Sequence, residues 1–201
     1  MIAAWAAFTC LFGGVVFHFW IQLALSVAGL CVLGYCFDPV GMKKILIQSR
    51  TNLIHSLVFG AVSAWILYMV FLAANISAIW LFPFGKAEIS EVYQLKSGVN
   101  QWMLVLLLTL VIGPGEELFW RGYLQRRLMD RYGITGFVMA VLAYGAVHLV
   151  SGNLMLIAAA LVCGVFWGVL FHRFNSIWIN MISHAAWGLA VFIIWPFSGV
   201  T

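Results

Sequence analysis

Two adjacent carboxylates, Glu116 and Glu117, sit inside an apolar run that reads Leu110-Val-Ile-Gly-Pro-Gly-Glu-Glu-Leu-Phe-Trp-Arg121. The chain has only 6 acidic residues, and the others, Asp38, Glu88, Glu91 and Asp130, fall in polar connectors. An ionisable side chain at mid-bilayer costs ~2.5–3.5 kcal/mol or more, so one placed in a membrane-length run is read first as functional. Neighbouring carboxylates there resist joint ionisation, and a carboxyl group whose proton affinity is raised by burial can serve as a general base near neutral pH. Arg121 follows Glu117 by four residues on the same helical face. It can pair with Glu117 and keep one glutamate ionised while the other exchanges a proton. Pro114 after Gly113 suits a first helical turn, so a half-helix starting here would carry both glutamates at the positive end of its dipole.

Histidine is the second element. Of the 5 histidines, His148 and His184 fall inside later apolar runs. Tyr144 shares a helical face with His148, and Asn180 shares one with His184, each pair being four residues apart. Bringing Glu116, Glu117, Arg121, His148 and His184 into one cavity would satisfy five costly polar groups together. It would also assemble a base, a water-holding group and a transition-state stabiliser. Ser183 adjoins His184, but successive residues do not face each other on a helix. The chemistry indicated is therefore activation of water, not attack by a side-chain nucleophile. His18, His55 and His172 are read as interfacial and are given no role.

The elements that must position these residues follow from composition. Of 201 residues, 65% are hydrophobic and 8% charged, against about 25% charged in a soluble domain. Lipid must be the solvent for much of this chain. In hydrocarbon only helices and closed barrels satisfy every backbone polar group, and continuous apolar runs without period-two alternation choose helices. We expect an all-α, polytopic transmembrane helical bundle of about seven spans (six to eight), a single transmembrane domain over 1–201. As one helix, residues 2–37 would reach about 54 Å, far beyond a ~30 Å hydrocarbon core. They are read as two short spans turning near His18, with a single span behind an interfacial helix as the alternative. Further spans are expected at about 53–75, from Gln101 with an interruption at Gly113-Pro114-Gly115, and at about 134–150, 154–171 and 176–196.

The net charge of +4 comes from short basic clusters between the runs. These are topology determinants and headgroup contacts, not a nucleic-acid footprint. They assign the connectors 38–52 and 126–133 and the Arg173 turn to the cytoplasm, and the loop 76–100 and the Ser151 turn to the outside. The four cysteines lie in apolar segments with no C-x-x-C pair and are read as packing residues. No basic stretch precedes the first apolar run, so a cleaved signal peptide is not expected. The expected location is a multi-pass position in a membrane, a prokaryotic inner membrane, with lipids as partners.

The stretch Glu116–Leu128, EELFWRGYLQRRL, resembles the first motif, E-E-x-x-x-R, of the CPBP family, the CAAX-prenyl-protease and bacteriocin-processing type intramembrane proteases. Tyr144-Gly-Ala-Val-His148 is similar to the second motif, F-x-x-x-H, with Tyr for Phe. His184-Ala-Ala-Trp-Gly188 keeps the histidine of the third, H-x-x-x-N or H-x-x-x-D, but ends in glycine. The resemblance covers roughly 101–195 and marks it as a CPBP-like catalytic core. It implies an intramembrane endopeptidase acting on a protein or peptide with a membrane-embedded or membrane-anchored segment. It further implies that Glu116, helped by His148, activates water, that Glu117 and Arg121 form an ionic and structural pair, and that His184 stabilises the oxyanion. Gly188 has no side-chain donor for that last task, and Asn180, one turn before His184, is the candidate substitute.

The family has been described both as metalloproteases and as metal-free glutamate proteases. Two Glu and two His can bind Zn²⁺, but the sequence lacks a H-E-x-x-H pair. We expect no cofactor; if a metal is used, Glu116, Glu117, His148 and His184 are its ligands. The competing readings are a non-catalytic or catalytically weakened relative, such as an immunity or chaperone subunit, and an ion-coupled transporter. Buried Glu, Arg and His also serve proton-coupled transport, but the two related halves usual in transporters are not visible here.

Overall fold

The computed structural model describes residues 2–13, 18–48 and 52–197. Among them nine helices follow one another: α1 Ile2–Gly13, α2 Phe19–Phe37, α3 Pro39–Gln48, α4 Leu53–Leu81, α5 Gly85–Gln94, α6 Gln101–Tyr132, α7 Ile134–Ser151, α8 Leu154–Phe174 and α9 Ile177–Ile194. Six of them, α2, α4, α6, α7, α8 and α9, are long and apolar enough to cross a membrane. The chain is thus a helical polytopic bundle. The first apolar run does divide near His18, but α1 has only 12 residues. At about 1.5 Å per residue it reaches about 18 Å, short of a ~30 Å core. It packs against the bundle, with Phe8 edge-on to the His148 ring at 5.1 Å between centroids.

The spans bury one face and leave apolar side chains outside. Val32, Trp65, Leu110, Leu142 and Val169 are all exposed in mid-helix, as lipid contact requires and as water would not favour. Inside, Leu67, Val147, Trp167, Ile177 and Ile179 are fully buried. Small residues let the helices approach closely. A Cβ added at Gly60 would lie 2.6 Å from Ile182 Cγ2, so α4 rests directly on α9 there. Gly133, with φ 57°, makes the turn between α6 and α7, a backbone that side-chain-bearing residues seldom adopt.

The two ends of the bundle differ chemically. At one, Asp38 pairs with Arg126 and also accepts from Gly41 N at 3.0 Å in the manner of a helix cap. Arg127 donates to Phe37 O, and Trp178 Nε1 donates to Leu46 O. The basic connectors therefore sit together. At the other end α5 meets the turn after α7: Asn153 Nδ2 donates to Glu88 O at 2.9 Å and to Glu91 Oε2 at 3.1 Å. The backbone N–H of Met155 donates to Glu88 Oε2.

The expected interruption at Gly113-Pro114-Gly115 is absent: α6 runs through it with helical dihedrals. The helix instead winds wider on both sides, over Leu107–Ile112 and Leu118–Gln125. The Gly113 N–H reaches back five residues to Leu108 O. A widened turn accommodates a proline that lacks an N–H and whose ring would crowd the preceding turn. The two glycines serve packing. A Cβ at Gly113 would stand 3.0 Å from Ala185 N of α9, and one at Gly115 would stand 2.5 Å from Val27 Cγ1 of α2. Both neighbouring helices thus come close to α6 at the level of the glutamates, and no free helix N-terminus, with its dipole, is present there.

Candidate active site

Successive helical residues project about 100° apart, so Glu116 and Glu117 leave α6 toward different neighbours. Glu117 is fully buried and ringed by donors. Its Oε1 accepts from Arg121 Nη1 at 3.0 Å and from His184 Nδ1 at 2.9 Å. Its Oε2 accepts from Asn180 Nδ2 at 3.0 Å. Arg121, also buried, sends Nη2 to Cys163 O at 3.2 Å, and its guanidinium lies 4.7 Å from the centre of the Tyr144 ring and 5.6 Å from that of Trp167. A buried ion pair of this kind survives because its remaining lone pairs and protons are satisfied. It ties α6 to α8 and α9.

Glu116 faces the other way. Its Oε2 accepts from Tyr144 Oη at 2.7 Å. Glu116, Tyr144, His148, His184 and Gly188 line one cavity of about 140 Å³, otherwise walled by side chains such as Leu23, Leu108 and Trp20. Glu117 and Arg121 lie behind its wall. Five polar residues expected in one cavity are therefore three at its surface and two in a supporting layer.

Each histidine is oriented by a bond from its Nδ1. His148 Nδ1 lies 2.8 Å from Tyr144 O, a carbonyl that can only accept. Nδ1 therefore carries the proton, and Nε2 is the nitrogen left for a ligand. His184 Nδ1 donates to Glu117, and the ring stacks on Trp167 with centroids 3.8 Å apart and planes 16° from parallel. Trp167 is held in turn by a bond from its Nε1 to Ser183 Oγ at 3.1 Å. Both imidazoles are thus fixed in direction, that of His148 by a backbone carbonyl and that of His184 by the Glu117 and Trp167 side chains.

Asn180 does not occupy the oxyanion position expected of it. Its amide nitrogen is engaged by Glu117 Oε2 and, at 2.8 Å, by Trp167 O. It lies outside the cavity and buttresses Glu117. The alternative ligand set of two glutamates and two histidines is also divided between the two networks. Among the described residues no group of three His, Cys, Asp or Glu side chains is close enough together to hold a metal ion.

Three contributors were given no role by sequence reasoning. Tyr144, noted only as sharing a face and a motif with His148, enters as a partner of Glu116. A readable signal existed, because a tyrosine hydroxyl buried in an apolar span needs an acceptor. Trp167 and the Cys163 carbonyl carry no sequence signal; their roles arise from the way α8 packs between α6 and α9.

Residues 98–190, just under half of the chain, match the family model described as type II CAAX prenyl endopeptidase Rce1-like. That segment contains Glu116, Glu117, Arg121, Tyr144, His148, Asn180 and His184. No curated protein and no solved structure matches the chain.

Proposed function

From the match of residues 98–190 to the Rce1-like model of type II CAAX prenyl endopeptidases, we propose that this protein is an intramembrane endopeptidase in which Glu116 activates the attacking water. The observation that carries the reading is the single cavity onto which Glu116, His148 and His184 open together. Glu116 Oε2 is occupied by Tyr144, which leaves Oε1 for water. His148 Nε2 supplies a second acceptor for the same water. Glu116 takes one water proton as the oxygen attacks the scissile carbonyl carbon. His184, as an imidazolium whose Nδ1–H is held by Glu117, donates its Nε2–H to the oxygen that becomes negative. Glu116 then gives its proton to the leaving amine as the C–N bond breaks. A base and a donor set in advance around the reacting atoms supply what general-base and oxyanion catalysis require. The step needs no metal.

A second cavity of about 360 Å³, lined among others by Phe71, Ala78, Tyr93 and Val162, shares Val92, Leu156, Ala159, Trp187 and Phe192 with the first. Its walls are almost wholly apolar, which suits the membrane-embedded or lipid-bearing part of a substrate lying beside the scissile bond. The test is incubation of purified protein in liposomes with two peptides, one farnesylated with a CAAX C-terminus and one a plain transmembrane helix, followed by mass spectrometry. A discrete internal cleavage that Glu116→Gln abolishes supports the reading. Protein that cleaves neither peptide would favour the non-catalytic scaffold instead.

A further inference from the structure

An oxyanion formed in this cavity needs more than one donor, since such sites work through paired hydrogen bonds at about 2.7–3.1 Å. His184 provides one. Gly188, four residues on, provides none, although it lines the cavity. The other polar donors along the wall are already committed. Trp20 Nε1 donates to Leu95 O, Trp167 Nε1 to Ser183 Oγ, and Tyr144 Oη to Glu116. Trp187 is different. It lines the same cavity, and its indole Nε1–H is buried without a hydrogen-bond partner among the described residues. A buried donor left unpaired is destabilising and calls for an explanation.

We propose that the indole N–H of Trp187 is the second oxyanion donor, standing in for the side chain that Gly188 lacks; this rests on the peptidase reading above. Trp187 follows His184 by three residues, so the two share a face of α9, and their rings lie 6.3 Å apart between centroids. The indole is held edge-on by Phe71 at 4.9 Å and by Trp167 at 5.5 Å. These contacts fix the plane of the indole beside the His184 ring. The arrangement exchanges an i,i+4 pair of donors for an i,i+3 pair. Gly188 has room for the missing side chain, because a Cβ there would meet only Leu108 Cδ2, at 3.7 Å.

The test uses the full chain in liposomes with the farnesylated CAAX peptide as substrate, and reads kcat, KM and melting temperature for four proteins: wild type, Trp187→Phe, Gly188→Asn and the double variant. Trp187→Phe keeps an aromatic ring and removes the N–H. It should lower kcat by roughly 10²-fold, the usual loss for one oxyanion donor, with KM changed by less than about threefold. Gly188→Asn in the Trp187→Phe background should restore most of that loss. Retention of wild-type kcat by Trp187→Phe would overturn the proposal. So would a folded double variant that stays as slow as Trp187→Phe, because a merely structural tryptophan would not be replaced by an asparagine amide. An inactive wild type would instead overturn the peptidase reading on which the proposal rests.

Discussion

Glu116 and Glu117 are neighbours in sequence but belong to separate hydrogen-bond networks. Glu116 accepts from Tyr144 and faces the cavity, whereas Glu117 accepts from Arg121, Asn180 and His184 and is fully buried. The first meets the cavity, with Oε2 engaged by Tyr144. The second is fixed as the counter-charge of Arg121 and the anchor of His184. This division sets different expectations for the two positions.

Replacing Glu117 by Gln should damage the fold. Arg121 would remain buried without a counter-charge, and breaking a buried pair by removing one partner typically costs about 3–5 kcal/mol. Thermal unfolding in detergent should show a large drop for Glu117→Gln and little change for Glu116→Gln. Equal stability of the two variants would contradict the assignment.

Gly113→Ala should lower both stability and activity. The added Cβ would press on Ala185 N and Leu108 O, each at 3.0 Å, and neither backbone atom can rotate away. Overpacking of this kind costs typically about 1–3 kcal/mol. It would also push α9, and His184 with it, away from Glu117. Gly188→Ala, where the nearest contact is an ordinary 3.7 Å, is the control and should melt like the wild type.

How much of this was legible beforehand depended on whether a signal was local. The Glu117–Arg121 pair follows from i,i+4 spacing, and the Tyr144–His148 contact from the same rule, although it runs from the imidazole to the tyrosine carbonyl. Helical class and the spans from residue 53 onward followed from apolar run lengths. The role of Gly113-Pro114-Gly115 did not. Glycine and proline mark a break in most contexts, and only the approach of Val27 and Ala185 reveals them as a packing site on a continuous helix. The separation of the two glutamates and the task of Asn180 likewise depend on which helix lies opposite each face.

The pairing of Asp38 should show in the pH dependence of stability. The hydrogen bond from Arg126, with help from the Gly41 N–H and the charges of Arg126 and Arg127, holds the Asp38 carboxyl below its ordinary range against a smaller opposing effect of burial. A carboxylate depressed in the folded state stabilises at pH values above its unfolded pKa of about 3.9, and that contribution is lost as pH falls through the folded value. Asp38→Asn should therefore melt lower than wild type at pH 7, by an amount equivalent to about 1 kcal/mol for a partly exposed pair. The gap should narrow steadily below about pH 4. A gap independent of pH would contradict the pairing.

Orientation can be read by labelling. Lys and Arg cluster at the Asp38–Arg126 end, so the α5 end should face outward. A single cysteine at Lys86, exposed on α5, in a background without the native cysteines should react with an impermeant maleimide on intact cells. Reaction only after permeabilisation would reverse the topology. The cavity extends from Glu116 toward the end that carries Trp20 and Val92, so the same result states toward which side of the membrane it extends.

The central claim is that a carboxylate of this chain, and no metal ion, activates the water. The most direct measurement is the single-turnover cleavage rate of the farnesylated CAAX peptide by wild type and Glu116→Gln, each with and without a strong chelator. Glutamine keeps the size and hydrogen bonding of Glu116 but cannot take a proton, and general-base help is typically worth ~10²–10⁴ in rate. The expected result is a loss of that order in Glu116→Gln, with wild-type cleavage unchanged by chelation. Wild-type activity abolished by the chelator and restored by Zn²⁺, or full activity in Glu116→Gln, would contradict it.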